Sequence, residues 1–190
     1  MPFSAFSKTL CRNILKSLAA SALLLLSSTA LHAAQEALLR LDPGGHTAIV
    51  NKLLITPEGK LVTASDDKTI RIWNPKTGRE ERKILGQLGP GPEGMIYAIA
   101  LSPDGKLLAS GGYFMPEDVI RIHDFQSGEL LQILKGHENV VQDLAFSPDG
   151  RWLASGSSDK TVRLWKRSGS RFTSGPVLRG HEKDVYTVRL

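Results

Sequence analysis

A tight-turn tetrapeptide returns three times along this chain, as Thr56-Pro57-Glu58-Gly59, Ser102-Pro103-Asp104-Gly105 and Ser147-Pro148-Asp149-Gly150. The prolines lie 46 and 45 residues apart, a spacing that belongs to repeat arrays rather than to a fold with one unrepeated core. An alternating apolar stretch precedes each turn, at residues 50–55, 96–101 and 141–146. A short strand follows it: Leu61-Val62-Thr63-Ala64, Leu107-Leu108-Ala109-Ser110 and Leu153-Ala154-Ser155-Gly156. A third runs over 69–73, 119–123 and 161–165, and a weaker, more polar fourth lies near 80–85, 129–134 and 174–178. Pro and Gly in the first turn, and Asp-Lys in the second, fit tight hairpins. No window shows useful helical periodicity. Each period is therefore predicted to be a four-stranded antiparallel meander, which cannot bury both faces alone and must stack on its neighbours.

At this period the stack is predicted to be all-β, a propeller rather than a helical solenoid. Two further signals recur with it: Gly45-His46, Gly136-His137 and Gly180-His181, then Trp73-Asn74, His123-Asp124 and Trp165-Lys166. With the phrases running from Asp67 to Trp73 and from Asp159 to Trp165, these make the chain resemble WD-repeat propellers over residues 37–190. The resemblance implies a hydrogen-bonded structural tetrad in each regular blade: His46, Thr63, Asp67 and Trp73 in blade one, His137, Ser155, Asp159 and Trp165 in blade three. A buried indole N–H and a buried carboxylate both need partners, and an imidazole can bridge them. His, Ser and Asp could also be read as a catalytic triad. However, a triad is needed once, whereas this set recurs with the period and includes a Trp. No catalytic residue is assigned.

Blade two departs from the pattern. It lacks Gly-His, has His123 where Trp is expected, and carries two extra segments, 86–94 and 112–118. In WD-repeat propellers those two loop classes open on the same face, the one most used for partners, and loops on a rigid scaffold often carry function. Gln87, Glu93, Tyr113, Phe114, Met115 and Glu117 are the candidate partner-binding residues. The competing expectation is that Tyr113, Phe114 and Met115 fill the space left by the missing Trp.

The first 34 residues are a separate object. Lys8, Arg12 and Lys16 precede an apolar run from Leu18 to Leu31, followed by small residues. This describes a secretory signal peptide with cleavage after Ala30, Ala33 or Ala34; an uncleaved anchor is the alternative, although the run is short of the roughly 20 residues of a spanning helix. The product is expected to be exported, periplasmic or secreted. The formal charge of +5 includes those three basic residues and no acidic ones from the leader, so the remainder carries +2. The one Cys, Cys11, also lies in the leader, so neither a disulfide scaffold nor a multi-cysteine zinc site is expected.

No GxxxxGK[ST], HExxH, CxxC or GxSxG motif occurs, and the Gly-rich segment 86–94 does not open a helix. Lys and Arg are dispersed without a basic-aromatic cluster, so nucleic acid, cofactor and metal are not expected.

The array is predicted to comprise an outer strand at 37–41, blades at about 45–85, 86–135 and 136–179, and the inner strand of a fourth blade within 180–190. Such an array is an incomplete propeller, expected to expose an edge at Val185–Leu190 and to self-associate. The predicted function is a non-enzymatic scaffold for a protein partner outside the cytoplasm. The alternative is the N-terminal part of a longer exported protein, since the sequence also resembles bacterial proteins with WD repeats ahead of a caspase-like domain.

Overall fold

A computed structural model describes residues 44–114 and 119–190. The predicted leader with its cleavage positions, the expected outer strand at 37–41, and Met115 and Glu117 lie outside the described residues. The described chain is all-β. Strands β1 (Val50–Ile55), β2 (Leu61–Ser65), β3 (Thr69–Asn74) and β4 (Arg79–Leu85) form blade one. Blade two contains β5 (Ile96–Leu101), β6 (Leu107–Gly112), β7 (Ile120–Asp124) and β8 (Leu130–Leu134). Blade three contains β9 (Val141–Phe146), β10 (Trp152–Ser157), β11 (Val162–Ser168) and β12 (Arg171–Leu178). Each sheet runs in sequential order, every neighbour antiparallel.

The turns explain the meanders. In the first hairpin of each blade the N–H of Gly59, Gly105 or Gly150 donates to the carbonyl of Thr56, Ser102 or Ser147, at 2.8 Å each time. These glycines take φ of 80°, 68° and 68°, a region that a residue with a Cβ enters only with strain. The second hairpin places Lys68 and Lys160 at φ 70° and 68°. There the preceding aspartate holds the turn, accepting the N–H of Thr69 or Thr161 at 3.0 and 2.9 Å.

Alternation along the strands gives every blade a leading face and a trailing face. Val62, Ala64, Ile70, Ile72 and Ile84 on the trailing face of blade one meet Ile96, Ile99, Leu108 and Phe125 on the leading face of blade two. Ala98, Ala109, Ile120 and Ile122 of blade two then meet Val141, Leu144, Leu153 and Trp165 of blade three. The inner strands approach closely through glycine: a Cβ added at Gly111 would lie 2.7 Å from Val141 Cγ1.

The last segment differs from expectation. Residues 185–190 form no strand ladder with the described residues. They nevertheless occupy the place of the next inner strand. Val185 and Val188 are both 7% exposed and pack on Ala154, Ala145, Val162 and Leu164. A Cβ at Gly156 would lie 2.8 Å from Val185 Cγ1, as Gly111 stands to Val141. Outside those two valines the segment is exposed, with Tyr186 and Leu190 at 67% and 49%. The larger uncovered surface is the leading face of blade one, where Leu53 and Ile55 are 60% and 73% exposed.

Candidate functional site

The repeated polar residues are assembled by the second hairpins. In blade one His46 Nδ1 lies 2.8 Å from Asp67 Oδ2 and its Nε2 lies 2.7 Å from Thr63 Oγ1, which accepts the Trp73 indole N–H at 2.8 Å. Blade three repeats this with His137 to Asp159 at 2.7 Å, His137 to Ser155 at 2.7 Å and Trp165 to Ser155 at 3.0 Å. A neutral imidazole donates from Nδ1 to the carboxylate, leaving Nε2 to accept the hydroxyl proton. Every group in the chain from indole to carboxylate is then satisfied.

The carboxylates do more than hold the imidazoles. Asp67 Oδ2 also accepts the Thr47 N–H and Oδ1 the Thr69 N–H and hydroxyl. Asp159 does the same with Glu138 and Thr161. Burial raises the Asp159 pKa, but the bonds from Thr161, His137 and the Glu138 N–H outweigh it and bring it to about 2. Burial lowers the His137 pKa against the opposing pull of Asp159. The spacing of Ser155, His137 and Asp159 is that of a nucleophile and its base, yet Ser155 is completely buried and its oxygen already accepts the Trp165 proton. The Ser155 hydroxyl is thus committed to hydrogen bonds within the blade.

Among the described residues, blade two shows no equivalent. His123 replaces the Trp, is 5% exposed, and lies 3.3 Å through Nδ1 from the Gly128 carbonyl. Its pKa is lowered, chiefly by burial.

The two extra loops do converge. The Gly94 N–H donates to Tyr113 O at 2.7 Å and the Tyr113 N–H to Met95 O at 3.0 Å. Their side chains are arranged differently from the sequence expectation, however. Phe114 is not a presented contact group: it is 1% exposed, packed in the core between blades one and two, with the Arg121 guanidinium 5.0 Å over its ring. Phe114 turns inward, where it fills space between the two stacked blades. Gln87 and Glu93 are likewise braces. Gln87 Nε2 donates to Glu93 Oε1 at 2.6 Å, Arg121 Nη2 donates to Gln87 Oε1 at 2.6 Å, and the Lys68 ammonium donates to the Gly89 carbonyl. Tyr113 remains half-buried at the loop surface, near Met95 and Tyr97, whose hydroxyl donates to Met95 Sδ at 3.4 Å. Sequence reasoning did not single out Met95 or Tyr97; both lie just beyond the Gly-rich segment, and only the loop pairing brings them beside Tyr113.

A second group escaped the sequence reading. Asp143 on β9 is fully buried and accepts Lys52 Nζ of β1 at 2.6 Å, the Val188 N–H at 3.1 Å and Arg189 Nη1 at 2.8 Å. Lys52, Ala98 and Asp143 occupy equivalent positions, paired with Ala64, Gly111 and Gly156. Aligning the first strands would have shown the opposite charges, but not that they meet. Burial raises the Asp143 pKa, and the bonds from Lys52, Val188 and Arg189 overcome that and leave it lowered.

The family model described as "WD domain, G-beta repeat" matches residues 38–74, 82–124 and 128–166. Human WD repeat and SOCS box-containing protein 1 is 39% identical over 69 residues, 35% of this chain and 15% of that protein. Human serine-threonine kinase receptor-associated protein is 30% identical over 157 residues, 64% of this chain and 44% of that protein. Among solved structures, "Structure of U3-55K" and "Crystal structure of RRP9 WD40 repeats" each superpose with a TM-score of 0.64 at 30% identity. Each match covers 74% of this chain, and 42% and 41% of those chains respectively. The chain thus spans less than half the length of these relatives.

Proposed function

The chain belongs to the WD-repeat family, and from that premise we propose that it is a non-enzymatic scaffold holding a protein partner outside the cytoplasm. WD-repeat proteins generally act as protein-interaction scaffolds. The observation that carries the reading here is the convergence of the two blade-two loops, which sets Tyr113 beside Met95 and Tyr97 on braced backbone. Partly exposed aromatic and Met side chains on a rigid support suit the core of a protein interface. The repeated His, Ser/Thr and Asp residues are engaged in the tetrads, which leaves the loops as the surface for recognition. A relative bearing the name serine-threonine kinase receptor-associated protein accords with a binding role.

The extracytoplasmic part of the proposal rests on Lys8, Arg12, Lys16 and the apolar run from Leu18 to Leu31. Mass spectrometry of the expressed product is expected to find a mature N-terminus after Ala30, Ala33 or Ala34; an intact leader on all of the protein would overturn export. For the partner site, Tyr113→Ser in the full chain is expected to reduce partner recovery from the exported fraction with unchanged thermal stability. Undiminished recovery counts against the loop.

A second reading, the N-terminal part of a longer exported protein, is favoured by the uncovered leading face of blade one, which in a longer array would meet another blade and otherwise promotes self-association. Sequencing the coding DNA past the Leu190 codon decides it: further blades support it, an immediate stop rejects it.

A further inference from the structure

Beside the blade-two loops, Asp66 carries a charge that no cation among the described residues pairs with. Lys68 reaches the Gly89 carbonyl instead, and Lys52 is held by Asp143. Asn51 Nδ2 donates to Asp66 Oδ1 at 2.6 Å and to the Ile96 carbonyl at 3.1 Å. One amide thus ties this carboxylate of blade one to the strand end that bears Met95 and Tyr97. The equivalent contact in blade three joins Gln142 Nε2 to the Ser158 hydroxyl at 2.9 Å. A neutral group therefore suffices at this place in the repeat, and the blade does not require the charge of Asp66. Tyr97 stands on β5 where Asn51 and Gln142 stand on β1 and β9, one residue before Ala98, Lys52 and Asp143. The Tyr113 N–H donates to the Met95 carbonyl and brings the second tyrosine alongside. Burial raises the Tyr97 pKa, and Asp66 and Tyr113 both add to the shift, so the two phenols and the carboxylate act on one another across one surface. All three side chains are partly exposed.

We propose that Asp66, Tyr97 and Tyr113 form a seat for a cationic side chain, an arginine or lysine of the protein partner. The proposal rests on the loop reading given above and adds the partner's chemistry to it. A tyrosine ring attracts a guanidinium or ammonium placed over its face. The carboxylate supplies a charge-assisted acceptor for the same group. Met95 offers a polarizable apolar flank for the aliphatic stem of such a side chain. An acidic side chain would be repelled by Asp66, so the seat also discriminates.

Nuclear magnetic resonance titration of the full chain tests this, with blocked pentapeptides carrying three arginines, three lysines or three glutamates as probes. A basic peptide is expected to shift the ring signals of Tyr97 and Tyr113 and the methyl signal of Met95, while the acidic one leaves them in place. Asp66→Ser copies Ser158 of blade three and so preserves the blade; it is expected to weaken the basic peptide about fivefold or more. Tyr97→Leu should weaken it likewise. No shift with either basic peptide, equal shifts with the acidic one, or unchanged affinity in Asp66→Ser overturns the cation seat. The loop reading is decided separately by partner recovery. Loss in Tyr113→Ser with wild-type recovery in Asp66→Ser keeps the loop and rejects the cation, whereas undiminished recovery in both rejects the loop itself.

Discussion

Leu53 and Leu144 hold the same place in two copies of one strand, yet Leu53 is 60% exposed and Leu144 is 3% exposed. Their surroundings within the sheet match: Leu53 pairs with Thr63 and Leu144 with Ser155, each a tetrad hydroxyl. What differs is the neighbour, because Leu144 packs on the trailing face of blade two while Leu53 faces outward. Leu144→Ala should therefore cost about 2–5 kcal/mol, as for buried leucines. Leu53→Ala should cost less than about 1 kcal/mol. Urea denaturation of the two variants makes the comparison, and equal losses would mean that Leu53 is covered in solution.

The tetrads predict a graded response. Ser155→Ala strips the acceptor from the Trp165 indole and the donor from His137 Nε2, leaving buried groups unsatisfied at about 1–3 kcal/mol each. Thr63→Val in blade one should cost less, because Trp73 is only half-buried and water can reach the site. The two midpoints of thermal unfolding should fall in that order.

Phe114 and Tyr113 should separate packing from presentation. Phe114→Ala empties a fully buried site and is expected to cost about 3–5 kcal/mol. Tyr113→Ala, at a half-buried loop position, should change stability by less than about 1 kcal/mol. The difference is read from chemical denaturation, and a stable Phe114→Ala variant would contradict the inward placement.

Stability should fall in two steps as the solution is acidified. The His123 and His137 pKa values are held below 6.5 by burial. The unfolded chain therefore takes up protons first, and stability is lost as pH falls below about 6.5. Asp104 and Asp159 have folded pKa values of about 2 against 3.8. For Asp104 burial acts upward, while Arg167, Ser102 and the Lys106 N–H draw it down. These contributions are complete above about pH 4 and disappear as pH falls toward 2. Urea midpoints measured from pH 8 to 2 should show both steps. His123→Gln should shrink the upper one and Asp104→Asn the lower.

Much of this is legible in the sequence. The Pro-Gly turns, the spacing of their prolines and the Asp-Lys hairpins specify three meanders because each is a local backbone requirement. The tetrads were legible for a related reason: His46 and Asp67 recur as His137 and Asp159 in the same order around the same turn. Phe114 was not, because whether a loop aromatic faces outward depends on the space left between two stacked blades, which is a property of packing. The bond between Lys52 and Asp143 was hidden too, since it joins residues 91 apart on blades that the chain brings together only when stacked. Residues 185–190 have the composition of an inner strand and even its pair of valines, but a strand is defined by a partner that pattern cannot supply.

The glycine at the close approach of two blades has a wider meaning. Gly111 receives Val141 much as Gly156 receives Val185, so these two joints share one fitting, while blade one carries Ala64 at the equivalent place. A gene encoding such a chain can lengthen by duplicating one unit, since the new copy already carries both halves of the coupling. The same interchangeability exposes it to mistakes, because a unit borrowed from another array with the same fitting would seat equally well. Fidelity of assembly then rests on the features that are not repeated, of which the inserted loops of blade two are the most prominent.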